Sequence, residues 1–388
     1  MSPRLEAGRS RASMRSAPFA HSLCSRGWRL GSDAQLRPPR APLHLRRRAT
    51  SIPSAKLVIG SPQPHASSFQ PAKQRGVALI TAVLIVALAT ILAVNVGFNG
   101  FMDQRRSATR YALDQGFQVA VGAEAWAADT LRRDGAQGGQ RRQDHLAEEW
   151  ATPIPPIPVE GGEVSGYIED MQGRFNLNSL VVRQGDQLQP DPLAVRRLER
   201  LLEILELETK WAGVIADWID TDGEAGFPDG AEDAVYTSQT PAYRTAEMPI
   251  TRTSELLALS EFGIERYRTL EPYVTALPIG TPINLCTAPP QVLDALVEGQ
   301  RQFTVGRDNV AELRKERCHP TLEEFESALS NEEKTELIQG RVVDEKSSYF
   351  RSTVWVTIGT TQFTLYSLLY RTDRTNLVRP ILRSFGTA

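Results

Sequence analysis

Cysteine is scarce, with three residues in 388 and no Cys-x-x-Cys pair, so paired-thiol metal and redox motifs are excluded. An excess of one charge is also missing: the net charge of -2 gives no overall pull toward nucleic acid or anionic lipid. Lysine is absent from the first fifty residues and acid nearly so, while Arg, Ser, Pro and Ala fill positions 1–72 without a sustained apolar period. Such a segment cannot offset its ordering entropy and reads as disordered. A transit peptide fits an Arg-rich, acid-poor start. An over-extended start or a long leader fits better with the apolar run that begins at Val77, and either would be absent from the mature protein.

Charge, proline and glycine all vanish between Val77 and Val94, which is long enough for most of a membrane-spanning helix. Lys73 and Arg75 precede it, so the positive-inside bias keeps that end in the cytoplasm and exports the remainder. Cys24 then lies before the span, and Cys286 and Cys318 lie beyond it in an oxidising compartment.

Beyond the span the helical pattern continues. Phe101, Tyr111, Phe117, Val121 and Trp126 alternate with charged residues as an amphipathic helix requires, as far as Asp134-Gly135, which reads as a stop. Residues 77–98 form the membrane half of one long helix and 99–133 its soluble half. After a Pro-rich connector around Thr152–Pro158, strand-like alternation covers Glu163–Asp170 and returns only at Ser348–Ile358, Gln362–Arg371 and Leu377–Ser384. The expected fold is α+β: a small antiparallel sheet from 134–180 and 345–388, split by a mainly helical insertion over 181–344. Helices are expected at Leu193–Leu207, Trp211–Ile219, Thr253–Leu259, Pro289–Glu298 and Thr321–Leu329.

The insertion holds an acidic loop, with Asp217, Asp220, Asp222, Glu224, Asp229, Glu232 and Asp233 interspersed with Gly223, Gly226 and Gly230. Seven carboxylates so close repel unless a cation or solvent separates them. The spacing is not that of an EF-hand, since Ala225 stands where the sixth-position Gly belongs and Glu232 falls one place late. A wet surface loop is the plain alternative. Glycosidase-type carboxylate pairing is disfavoured, because a loop so charged is expected to hold its pKa values low.

Several stretches together resemble the minor pseudopilin K family (GspK) of the type II secretion system. They are Gln74-Arg75-Gly76-Val77-Ala78-Leu79-Ile80, Gly173-Arg174-Phe175-Asn176-Leu177-Asn178, Asp217-Trp218-Ile219-Asp220-Thr221-Asp222, Gly230-Ala231-Glu232-Asp233 and Ile283-Asn284-Leu285-Cys286-Thr287-Ala288-Pro289. The resemblance implies cleavage by prepilin peptidase between Gly76 and Val77, N-methylation of Val77, and a pilin-like fold. It implies calcium held by Asp217, Asp220, Asp222, Glu232 and Asp233, and makes Cys286 and Cys318 a disulfide candidate.

The implied role is non-enzymatic: a single-pass inner-membrane subunit, its C-terminal domain in the periplasm, at the tip of the pseudopilus that serves protein export. The implied partners are minor pseudopilins I and J, then H, the major pseudopilin, and exported substrate. Thr81, fifth from the cleavage point, stands where most related subunits have a Glu that pairs with the subunit ahead, which suits a tip position. Competing classes are a competence-pilus-like DNA binder, suggested by helix-hairpin-helix character around Ile283–Leu296, and a membrane-tethered hydrolase. The acidic surroundings argue against DNA. Thr287 is expected to cap the helix beginning at Pro289 or Pro290.

Overall fold

A computed structural model describes residues 77–137, 142–226, 228–299 and 301–386. The expected extension 1–76, with Gly76 of the cleavage junction, lies outside the described residues. Helix α1 runs unbroken from Val77 to Gln137, 61 residues. No side chain from Val77 to Asn99 is buried, and the most apolar eighteen-residue window in α1 has a mean hydropathy of 3.0. Only the far half packs, through a stripe at Gly116, Ala120, Glu124, Ala127, Leu131 and Gly135 that repeats every three to four residues.

The helix passes the expected stop at Asp134-Gly135. Gly135 is there for close approach, since a Cβ at this position would lie 3.0 Å from Asn376 Oδ1 and 3.3 Å from Arg371 Cδ. Asp134 in turn binds Arg371 Nη1 at 2.9 Å.

The strands are β1 Ile154–Val159, β2 Gly162–Asp170, β3 Phe175–Asn176, β4 Val181–Gln184, β5 Gln187–Pro190, β6 Val274–Thr275, β7 Ile283–Asn284, β8 Val343–Asp344, β9 Tyr349–Ile358, β10 Thr361–Arg371 and β11 Val378–Phe385. Five form an antiparallel sheet in the order β1-β2-β9-β10-β11. Strand β1 replaces the expected connector. Its Pro155, Pro156 and Pro158 read locally as a turn-rich link, but an edge strand tolerates proline because its outward amides have no ladder partner. Helix α1 lies mainly across β9 and β10, burying Ala120 against Val354, Val356, Ile358 and Leu365.

The insertion carries α2 Pro192–Ile204, α3 Trp211–Ile219, α4 Asp233–Tyr236, α5 Gly263–Leu270 and α6 Pro290–Leu296, with further short helices at Gln302–Val305, Arg307–Leu313 and Leu322–Ser327. Asp191 caps α2 by accepting from Leu193 N. Thr321 and Glu324 close a capping box at Leu322–Ser327. The segment expected as a helix at Thr253–Leu259 is a 3-10 turn over Thr253–Ala258, too short in apolar period to extend further. The core on this side of the molecule is one cluster including Leu198, Leu201, Trp211, Ile215, Phe262, Leu285 and Phe325, separate from the cluster under α1.

A buried polar knot joins insertion and sheet. Asp170 Oδ2 accepts from Ser347 Oγ and Thr287 Oγ1, both at 2.6 Å, and from Asn284 Nδ2 at 2.9 Å, while Oδ1 accepts from Gln172 N at 2.8 Å. Burial pushes Asp170 up to about 6 against these donors. Thr287 is therefore not the cap of α6, whose N-cap is Pro289; its hydroxyl is committed to Asp170. Cys286 and Cys318 form a disulfide with Cα atoms 4.7 Å apart. Beside it Arg314 donates to the carbonyls of Leu285, Ala288 and His319 at 2.8, 2.7 and 2.6 Å, and burial lowers its pKa to about 10.

Candidate functional site

The acidic loop leaves the C-terminus of α3 and returns at α4, beneath which Trp218 and Tyr236 pack edge to face at 5.1 Å. Helix α3 is apolar on nearly every side, so its final turn is fixed by core packing and Asp217 and Asp220 inherit that rigidity. Asp217 Oδ2 accepts from Gly226 N and Ala231 N, both at 2.9 Å, and so closes the loop over itself. Gly226 and Gly230 are needed for this. A Cβ on Gly230 would fall 2.2 Å from Asp217 Oδ2 and from Gly226 N, and one on Gly226 would fall 2.9 Å from Asp217 Oδ1.

The closed loop brings together three of the five expected ligands. Asp220, Asp222 and Glu232 each present an oxygen within 4.8 Å of the others. Asp220 and Glu232 are buried, at 1% and 6% exposure, and Asp222 faces solvent. Asp220 Oδ1 and both oxygens of Glu232 have no hydrogen-bond partner among the described residues. Burial, then the neighbouring charges of Asp222, Asp217 and Glu232, raise Asp220 to about 7. Burial and the charge of Asp217 raise Glu232. The expectation of low pKa values in this loop is thereby reversed, because the carboxylates are buried together and not merely crowded in water.

The other two expected ligands are not in the convergent trio. Asp217 acts as the loop's clasp, with Oδ2 already taken by two amides. Asp233 Oδ1 accepts from Thr245 N and Oγ1, both at 3.1 Å, which turns it toward the following segment. Glu224 and Asp229 also stand apart from the trio. The glycines and Thr245 are the functional positions that ligand counting passes over; the spacing Gly226-x-x-x-Gly230 is their visible signal.

An arrangement of buried, unpartnered carboxylate oxygens at the joint of two helices has the donor chemistry of a hard-cation site.

Residues 173–279 match the family model described as type II secretion system (T2SS), protein K. The type II secretion system protein K of Pseudomonas aeruginosa is 40% identical over 235 residues, covering 58% of this chain and 68% of that protein. That of Aeromonas hydrophila is 32% identical over 320 residues, covering 79% and 96%. This chain belongs to the type II secretion system protein K family.

The family is one of secretion components and not of enzymes, and the chain is a minor pseudopilin. Its fold is that of a solved structure titled the GspK-GspI-GspJ complex from enterotoxigenic Escherichia coli type 2 secretion system. The match has a TM-score of 0.62 at 23% identity, covering 74% of this chain and all of that one. The matched interval 173–279 opens on the Asn176 and Asn178 side chains that lace the insertion together. Asn178 binds Ile250 and Leu277 through 2.8 to 2.9 Å bonds, and Asn176 Oδ1 accepts from Leu277 N at 3.0 Å.

Proposed function

We propose that this protein K family member sits at the tip of the pseudopilus, anchored once in the inner membrane with its folded domain in the periplasm, and that pseudopilins I and J bind beside α1. The observation that carries this reading is how α1 covers the sheet. Helix α1 packs mainly across β9 and β10 and only lightly on β2, and an apolar trough of about 310 Å³ is left between it and β1–β2. Val119, Ala123, Trp126, Ile157, Val159 and Val164 line it, with Trp126 and Ile157 nearly half exposed. A second long helix laid against α1 would fill that space. The solved relative of this fold is titled as a complex with GspI and GspJ.

Thr81 supports the tip position. Its hydroxyl donates to Val77 O and Ala78 O at 3.1 and 3.0 Å, so the side chain is satisfied inside its own helix and asks nothing of a subunit ahead. The insertion, far broader than the stem, would block any subunit from stacking above. Minor pseudopilin H and the major pseudopilin would follow below, and the exposed insertion is the surface available to exported substrate.

Calcium is the cofactor this reading assigns to the acidic loop. Asp220, Asp222 and Glu232 would hold it, with Asp217 fixing the loop around them. Bound there, it supplies the positive charge that the buried, unpartnered oxygens lack, tying α3 to α4. The partner claim is tested by co-purifying the protein with its own I and J subunits: Trp126→Glu should abolish the complex while leaving the fold intact, and an undiminished complex would remove the trough from the interface.

A further inference from the structure

The soluble end of the apolar stem carries an uncompensated basic cluster. Between Asn99 and Arg110 stand Arg105, Arg106 and Arg110 against one acid, Asp103. All four are exposed on α1. The Arg106–Asp103 contact is a loose 3.5 Å between side chains 68% and 73% exposed, which leaves the guanidinium free to bind elsewhere. No part of the folded domain covers this stretch.

Helix geometry fixes where these groups lie relative to a bilayer. Val77 to Phe98 spans about 33 Å, enough for a hydrocarbon core of roughly 30 Å. The Cα of Arg105 is then about 10 Å above Phe98, and the interfacial layer is roughly 5 to 8 Å deep. Side chains on a helix lean toward its N-terminus. For Arg105 this is seen directly: its guanidinium folds back over the Phe101 ring, 4.7 Å from the centroid. Phe98 and Phe101, 63% and 51% exposed, stand where an aromatic belt would be.

We infer that Arg105 and Arg106 grip the phosphate groups of anionic phospholipids in the leaflet facing the folded domain. The inference rests on α1 being a membrane anchor. Planar guanidinium groups suit phosphate oxygens. Arg110, more than a turn higher, adds only through-space attraction. The contact sets the depth of the stem and holds the subunit at that depth until assembly lifts it from the bilayer.

The test uses the mature chain beginning at Val77, which lacks the Arg-rich residues that precede it, reconstituted into phosphatidylcholine vesicles, with spin-labelled phosphatidylglycerol or phosphatidylcholine as probe. Electron paramagnetic resonance reads the motionally restricted lipid fraction. At low salt, phosphatidylglycerol should be preferred by roughly fivefold or more, and Arg105→Gln/Arg106→Gln should remove most of the preference while leaving the restricted fraction of phosphatidylcholine unchanged. An equal preference in the variant, which would place it on other cationic groups of the chain, overturns the inference, as does no preference in the wild type. Absence of any restricted lipid overturns the anchor reading and the inference with it.

Discussion

Arg383, on the last strand, binds Glu124 of α1 through two parallel bonds, Nε to Oε2 at 2.8 Å and Nη2 to Oε1 at 2.7 Å. Glu124 is 3% exposed and also accepts from Ser367 Oγ. With Asp134–Arg371, this is one of two charged links between stem and sheet among the described residues. Burial by itself would raise the Glu124 carboxyl, but the hydrogen bonds from Arg383 and Ser367 bring it below its ordinary value. The stabilisation is therefore present above the unfolded pKa and is lost as pH falls through the lower folded one. Arg383→Met leaves a buried carboxylate half-paired and should cost about 2 kcal/mol, reduced from the fully buried case because Arg383 is itself partly exposed. Urea unfolding at neutral pH measures it, and the difference from wild type should shrink below about pH 4.

The acidic trio carries the opposite sign. Without a cation, Asp220 holds its proton up to about 7 in the folded state, whereas the unfolded chain releases it near 4. The metal-free fold should therefore lose stability as pH rises between those values. Bound calcium should reverse the trend by replacing the proton. Its affinity should fall as pH drops from 8 to 6, and saturating it a hundredfold over its Kd should stabilise the fold by about 2.7 kcal/mol. Asp220→Asn should leave the metal-free protein at least as stable as wild type and abolish the calcium response. Thermal unfolding with calcium and with EGTA separates these outcomes.

Gly230 tests the clasp separately from the ligands. Gly230→Ala drives a methyl group to 2.2 Å from Asp217 Oδ2, so the loop cannot close although every carboxylate of the trio remains. Calcium titration followed by calorimetry should show weakened binding of at least tenfold, with circular dichroism of the helices unchanged.

The Cys286–Cys318 bridge closes 32 residues beside the polar knot. Loop-closure entropy for that span amounts to about 3.7 kcal/mol. Cys286→Ser/Cys318→Ser should lower the unfolding free energy measured in urea by that much or less while preserving the far-ultraviolet spectrum, because Arg314 still ties the same segments through three carbonyls.

Much of this architecture is legible from residue pattern, and the exceptions share a cause. The stem, α3 and the sheet strands from Glu163 and Ser348 onward stand on long, regular apolar periods. Strand β1 does not, because proline's local signal hides an edge position that only the assembled sheet defines. Gly135 reads locally as a stop and is in fact a contact with Asn376 and Arg371, residues more than 230 positions away. Thr287 reads as the cap of its nearest helix, but its partner Asp170 lies 117 residues back. In the acidic loop, composition leaves a cation or solvent between the carboxylates and does not say which of them meet. The selection among Asp217, Asp220, Asp222, Glu232 and Asp233 is made by backbone amides and by Thr245, whose roles need the fold.

N-terminal sequencing and intact mass of the protein recovered from membranes of cells with active prepilin peptidase test the account at its root. A chain beginning at Val77 and carrying one extra methyl group is the result expected. A chain that retains the Arg-rich residues before Gly76 would contradict the stem's release into a filament and the tip position built upon it.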